Sequence, residues 1–269
     1  MNAEEMRHPL TVHERPAHGP LEAVIFDWGG TLTPWHAIDL GQQWRVFARE
    51  VHGVPIDSEE VTQADLDRAK ELGERIHAVE QAAWKRGTED HRSAHLDDIL
   101  AEAGVAPDLD RHHVALAAYR RFWEPHTHTD PLVRPLFEGL RARGLRVGVL
   151  SNTIWSGSYH REIFERDGVL DLIDGDVYSS ELHVVKPHAE AFEAACAAVG
   201  VAPTSAAYVG DRLFEDVLGS QEVGMRAIWV PHSDIPADQQ VTVDVTPDAV
   251  VDNLLDVLDT IDAWLADQG

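Results

Sequence analysis

The stretch Leu21-Glu-Ala-Val-Ile-Phe-Asp-Trp-Gly-Gly-Thr-Leu-Thr33 constrains the fold more than any other part of this chain. Its apolar run, Ala23 to Phe26, is too short for a helix and stops at Asp27, after which Gly29-Gly30 lets the backbone turn sharply. The run reads as a buried strand that presents a carboxylate at its C-terminal edge. In open α/β sheets that edge is where ligands bind. An acid at a strand end also begins turns and caps helices, so its meaning depends on what the other strand ends carry.

After this strand the texture changes. From about Thr33 to Asp130 there is no β pattern, and helical spacing runs over Asp39 to Val51, Ser58 to Lys85, Asp90 to Ala103 and Asp108 to Trp123. Ser58 and Asp108 read as helix starts, and Gly53 to Pro55, Gly87 and Gly104 to Pro107 as boundaries. Trp44 and Phe47, three apart, share a face and predict a packed core. From Leu132 helices and strands alternate. The helices are predicted at Val133 to Arg143, Ser158 to Asp167, Pro187 to Val199 and Leu213 to Val223, and the strands at Leu145 to Leu150, Ile173 to Val177, Ala206 to Val209 and Arg226 to Val230. A short extended piece after Pro247 precedes an amphipathic helix through Leu254, Leu255, Leu258 and Trp264. This alternation predicts an α/β fold: a Rossmann-like three-layer core with a mainly parallel sheet, plus an inserted all-helical domain. The expected division is a flexible tail over residues 1–20, a core from 21–33 and 131–269, and a helical insert over 34–130.

Charge narrows the partners. The chain holds 47 Asp and Glu against 22 Lys and Arg, a formal net charge of -25. That field repels nucleic acid and anionic membranes, so an anionic ligand needs a metal or a placed lysine to approach. Cys196 is the single cysteine and lies in the apolar stretch Ala191 to Val199, which excludes an intrachain disulfide and a cysteine-based zinc cluster and leaves it a buried bystander. Met1 to Pro20, with histidines at 8, 13 and 18, lacks the apolar core of a signal peptide or anchor, and no run reaches the length of a membrane span. The expectation is a cytoplasmic protein with no nucleic-acid or membrane partner.

The remaining strand ends are as informative as the first. Ser151-Asn152 ends the second strand, Lys186-Pro187 follows the third, and Gly210-Asp211 ends the fourth with Asp216 beyond it. Parallel strands bring such ends to one rim. Together with Phe26-Asp27-Trp28-Gly29-Gly30-Thr31-Leu32 and Gly210-Asp211-Arg212-Leu213-Phe214-Glu215-Asp216, in this order, the chain resembles the haloacid dehalogenase superfamily of hydrolases. The helical insert is similar to the cap of the subgroup that carries it between the first two motifs, where it covers the rim and selects the leaving group. The resemblance implies that Asp27 attacks phosphorus to form an aspartyl-phosphate. It implies Mg²⁺ on Asp27, Asp211 and the Gly29 carbonyl, with Asp216 orienting its water shell. It further implies that Ser151 donates to the phosphoryl group, that Lys186 offsets the negative charge around Asp27, and that Gly30, Thr31, Asn152 and His36 face the substrate.

One position departs from that pattern. Phosphatases of the family usually carry an Asp two residues after the nucleophile, which protonates the leaving group; here the position is Gly29. A lost general acid typically costs about 10²- to 10⁴-fold. Three explanations stand. The substrate has a good leaving group, such as an anomeric or acyl phosphate; or His36 or Asp39 reaches back with the proton; or the chemistry is carbon–halogen or carbon–phosphorus cleavage. Halide displacement gives Asp211 and Asp216 no metal to hold, and carbon–phosphorus cleavage in the family uses a cap lysine as a Schiff base, whereas Lys70 and Lys85 sit at helical positions suited to solvated charges. His91 and His95, four apart, lack a third metal ligand. The reading that follows is a Mg²⁺-dependent phosphatase of a small phosphorylated metabolite, with a fold-retaining binding or regulatory protein as the alternative from a different class.

Overall fold

The computed structural model describes residues 15–35, 39–54, 61–106, 110–231 and 240–268. The chain divides into two compact units, residues 1–35 with 129–269, and residues 36–128.

In the first unit a six-stranded sheet runs in the order β3-β2-β1-β4-β5-β6. The strands are β1 (Ala23–Phe26), β2 (Arg146–Ser151), β3 (Gly175–Tyr178), β4 (Ala206–Gly210), β5 (Arg226–Trp229) and β6 (Ala249–Val250). Every neighbouring pair is parallel. All four residues of β1 are fully buried, because helices cover both faces of the sheet. On one face Ala23 and Ile25 join Leu150, Ala206 and Tyr208 in a cluster with Phe192, Ala195, Cys196 and Val199 of the helix α7 (Ala189–Val199). On the other, Phe26 meets Phe137 of α5 (Val133–Ala142) with ring centroids 5.3 Å apart. The α/β three-layer core is therefore as the alternation predicts. Burial pushes the Cys196 thiol up to about 12, which leaves it an inert filler.

Register and order together fix where the strand ends meet. β1 pairs with β2 on one side, Phe26 against Val149, and with β4 on the other, Phe26 against Val209. Asp27, Ser151 and Asp211 thus emerge one or two residues beyond a common line, on strands about 4.8 Å apart. From the central β1 the chain winds to β2 and β3 on one side, then to β4, β5 and β6 on the other. The reversal lies beside β1, where open α/β sheets have their ligand crevice.

Residues 15–20, the end of the expected tail, are pinned to this unit. Arg15 forks onto Asp248 at 2.8 and 2.9 Å and donates to the Met225 carbonyl at 2.7 Å, and the Gly19 amide donates to Thr204 O at 3.0 Å. The histidines at 8 and 13 lie outside the described residues.

The second unit contains α1 (Leu40–Val51), α2 (Gln63–Asp90), α3 (Leu96–Glu102) and α4 (His112–Trp123). Trp44 is fully buried, edge-on to Phe47 at 5.7 Å and beside Tyr119 at 4.6 Å, with its indole N–H on buried Glu80 at 2.8 Å. The expected core role of Trp44 and Phe47 is what the packing shows. Helix boundaries differ from the sequence reading. Ser58 and Asp108 lie outside the described residues; α2 starts after Thr62, whose hydroxyl and amide exchange hydrogen bonds with Asp65 as a capping box. Gly87 does not stop α2, which runs to Asp90 and ends where His91 takes a left-handed φ of 55°. His95 is the extended N-cap of α3, so His91 and His95 do not share one helix. Lys70 and Lys85 are exposed and pair with Glu74 and Glu89, four residues on. Among the described residues no helix is long and apolar enough to cross a membrane.

Candidate active site

The site is built around a buried lysine. Lys186 is 3 % exposed, and its Nζ donates to Asp27 Oδ1 at 2.7 Å and to Asp216 Oδ1 at 2.7 Å. Asp27 follows β1, and its amide still donates to Val209 O at 2.9 Å, which continues the β4 register and fixes where the carboxylate emerges. Beyond it the chain turns tightly: Gly30 has φ 88°, its amide bonds Thr33 O at 2.8 Å, and the Thr33 amide bonds Trp28 O at 2.9 Å. Thr31 is buried here, and its hydroxyl has no hydrogen-bonding partner among the described residues. Gly29, at the start of this turn, has open space where a side chain would begin: nothing lies within 4 Å of a Cβ built there.

Asp216 is brought in by an irregular helix. The helix predicted over Leu213 to Val223 is two pieces, a π-helical turn Leu213–Leu218 and a short α8, Gly219–Glu222. The amides of Asp216 and Val217 both donate to Arg212 O, at 3.0 and 3.2 Å, and Asp216 Oδ2 accepts the Arg212 amide at 2.9 Å. The wider turn accommodates one extra residue. As a result Asp27, Asp211 and Asp216 offer carboxylate oxygens that all lie within 4.8 Å of one another, each residue buried.

The electrostatics follow from three acids and one ammonium in a dry setting. Burial pulls the Lys186 ammonium down, but Asp216 and Asp27 against it raise it well above its ordinary value, so it is charged. Burial pushes the Asp27 carboxyl up, against the pull of Lys186, and neighbouring Asp216 adds to the rise. Lys186 pairs with Asp27 and Asp216, and the third carboxyl, Asp211, beside these two leaves the cluster with more negative groups than one ammonium balances. Its all-oxygen donor set is of the kind that suits Mg²⁺, a hard cation.

The other residues singled out from sequence divide into three groups. Ser151 ends β2 and is 2 % exposed, one strand from Asp27. Asn152, expected on the substrate, has both ends of its side-chain amide on the backbone of Lys186: Oδ1 accepts the Lys186 amide at 2.8 Å and Nδ2 donates to its carbonyl at 3.1 Å. Asn152 is thereby a clamp on the lysine's main chain. His36 lies outside the described residues, and Asp39 caps α1 through the Gln42 amide at 3.0 Å, with its side chain largely exposed.

Two residues escaped the sequence reading. Tyr208, inside β4, places its hydroxyl 2.9 Å from Lys186 Nζ and 2.9 Å from Leu150 O. His160, on α6 (Gly157–Arg166), is fully buried, stacks on Tyr178 at 4.5 Å, meets the edge of Trp28 at 4.6 Å, and places Nε2 3.2 Å from the Thr153 hydroxyl. Burial lowers its pKa to about 3. The available signal was that a Tyr hydroxyl or imidazole in a buried apolar run needs a partner.

Comparison with known proteins finds relatives along most of the chain. The family model for haloacid dehalogenase-like hydrolases matches residues 21–224. A glyceraldehyde 3-phosphate phosphatase of Methanopyrus kandleri is 25% identical over 241 residues, 90% of this chain and 97% of that protein. A phosphoserine phosphatase of Thermus thermophilus is 32% identical over 148 residues, 55% of this chain and 57% of that one. Among solved structures, a HAD phosphatase from Thermococcus onnurineus superposes with a TM-score of 0.59 at 20% identity, covering 90% of this chain and 98% of its own. A 2-haloacid dehalogenase from Pseudomonas syringae pv. Tomato does so with a TM-score of 0.58 at 22% identity, covering 91% and 99%.

Proposed function

Because the chain belongs to the haloacid dehalogenase-like hydrolase family, we propose that it is a Mg²⁺-dependent phosphatase acting on a small phosphorylated metabolite through an aspartyl-phosphate on Asp27. The observation that carries this reading is the trio Asp27, Asp211 and Asp216 gathered beside Lys186 where the strand order reverses. Relatives spanning most or half of the chain are named as phosphatases of small phosphate esters, which favours the same substrate class.

Asp27 and Asp211, with the Gly29 carbonyl, would hold the metal, and Asp216 would orient its surroundings. When bound, Mg²⁺ supplies positive charge that lets an anionic ester approach a carboxylate cluster. The Asp27 carboxylate attacks phosphorus, the P–O bond to the leaving group breaks, and water later cleaves the acyl phosphate to return Asp27 and inorganic phosphate. Lys186 opposes the burial that favours the neutral form of Asp27 and so promotes the carboxylate needed for the first of these steps. Ser151 and Thr31 donate to the phosphoryl oxygens. With Gly29 offering no proton, the leaving group departs with little acid help, which favours substrates whose leaving oxygen is already a weak base.

Carbon–halogen cleavage would give the cluster of Asp27, Asp211 and Asp216 no metal to hold. Carbon–phosphorus cleavage lacks its Schiff-base lysine here, since Lys70 and Lys85 are exposed and paired with Glu74 and Glu89. A panel of phosphorylated metabolites, assayed with and without Mg²⁺ and with Asp27→Asn as the blank, tests the reading. Release of phosphate that disappears in the blank supports it, as does a phosphoryl adduct on Asp27 in quenched samples. Protein that binds Mg²⁺ and releases no phosphate across the panel sinks it, and leaves the binding or regulatory role that the absent acid at position 29 suggests.

A further inference from the structure

A lysine ammonium has three protons to give and no lone pair to accept with. For Lys186 all three are placed: on Asp27 Oδ1 at 2.7 Å, on Asp216 Oδ1 at 2.7 Å and on the Tyr208 hydroxyl at 2.9 Å. Since the lysine only donates, the Tyr208 oxygen accepts from it, and the tyrosine's single proton goes to the Leu150 carbonyl at 2.9 Å. Every hydrogen in the chain from Lys186 to Tyr208 to Leu150 thus has one direction. Tyr208 is fully buried and its ring stands edge-on to Phe192 at 5.1 Å, so the hydroxyl is held by packing. The lysine is tied at both ends to the end of β2, its main chain to Asn152 and its ammonium, through Tyr208, to the residue before Ser151.

We propose that Tyr208 is a positioning residue that fixes the rotation of the Lys186 ammonium, so that its other two N–H groups meet Asp27 and Asp216 together. Two carboxylates alone leave a four-carbon stem free to favour one partner over the other; the third anchor removes that freedom. The same count leaves no N–H for the substrate. Lys186 therefore acts on the carboxylates, and the phosphoryl group is gripped by other donors. This role in turnover rests on the phosphatase reading, whereas the role in holding the ammonium does not.

Tyr208→Phe removes one oxygen and keeps the ring on Phe192. With ¹⁵N-lysine-labelled protein, free of substrate, a fully hydrogen-bonded buried ammonium gives a slowly exchanging signal, assigned through its loss in Lys186→Met. In Tyr208→Phe that signal broadens or vanishes while the circular dichroism stays that of the wild type. Against the best substrate of the phosphate panel, kcat falls about 10- to 100-fold, the range typical of lost supporting contacts, and KM changes by less than about threefold. A residue that only fills the core would lower the melting temperature and leave both readouts alone. An unchanged ammonium signal overturns the proposal, and so does an unchanged kcat in a folded variant. Should Tyr208→Phe fail to fold, 3-fluorotyrosine at position 208 replaces it, with the same expected loss in graded form. If the wild type releases no phosphate, the functional reading fails, and the ammonium signal still decides whether Tyr208 holds Lys186.

Discussion

Asp216 lies so close to the backbone of Gly210 that a Cβ built on the glycine would stand 2.4 Å from the aspartate's carboxyl carbon. Both cannot stay where they are if residue 210 gains a side chain. Gly210→Ala is expected to push Asp216 off Lys186 and off the Arg212 amide, and to lower kcat/KM about 10- to 100-fold. Overpacking adds about 1–3 kcal/mol of lost stability. Steady-state kinetics beside a urea melt check both, and a variant with wild-type kinetics would mean that Asp216 is dispensable.

Gly29 gives the opposite case. Nothing lies within 4 Å of a Cβ placed there, and its φ is outside the left-handed range. Gly29→Asp should fold normally and restore a proton donor two residues after the nucleophile. The expected gain is about 10²- to 10⁴-fold on alkyl phosphates, whose leaving oxygen needs a proton, and much smaller on nitrophenyl phosphate, whose leaving group does not. Equal gains on both would point to something other than acid catalysis.

Lys186→Met leaves Asp27 and Asp216 buried without their shared cation. Breaking a buried pair by removing one partner costs about 3–5 kcal/mol. The free energy of unfolding at pH 7 should drop by that order. The loss should shrink in the double variant Lys186→Met/Asp27→Asn, where one stranded charge has gone.

Mg²⁺ should stabilise the protein through binding, with saturation. At a hundred times its Kd a ligand specific to the folded state adds about 2.7 kcal/mol. The melting temperature should rise with added Mg²⁺, fall back with a chelator, and respond far less in Asp211→Asn. Equal response in that variant would place the ion elsewhere.

His160 carries a pH dependence of known sign. Its folded pKa is lowered by burial from 6.5 to about 3, so the native state keeps the ring neutral while the unfolded chain takes up a proton below 6.5. Stability from this group is complete above pH 6.5 and is lost as pH falls towards 3. Between pH 7 and 5 the loss is about 2 kcal/mol. Unfolding curves at the two pH values, compared with those of His160→Gln, should differ by that amount. An identical pH slope in both proteins would mean that the ring is not held neutral.

Strands read well from sequence because each is a short apolar run bounded by turn residues, and a strand covered on both faces has no polar alternation to confuse it. β1 and the starts of β4 and β5 fall where the runs begin. The strand-end acids were legible for the same reason: parallel register carries Asp27 and Asp211 to one rim without any side-chain detail. What could not be read was the cross-talk between elements. Nothing local to Asn152 says that its amide will close on the Lys186 backbone, and nothing local to Tyr208 says that its hydroxyl will find a lysine beyond the third strand. Helix ends in the second unit were misplaced where a glycine such as Gly87 proved tolerable inside a helix and a histidine took the left-handed stop.

The π-helical turn at Leu213–Leu218 makes this site depend on residue count more than on residue identity. The hydrogen bonds that shape the turn run from the amides of Asp216 and Val217 to the Arg212 carbonyl, and Leu213 and Glu215 are half-buried. Dropping either would return the segment to ordinary pitch and swing the following carboxylate about 100° around the axis, away from the lysine. Length variation, the change that surface connections absorb most easily, is thus the one that this short stretch of chain does not allow.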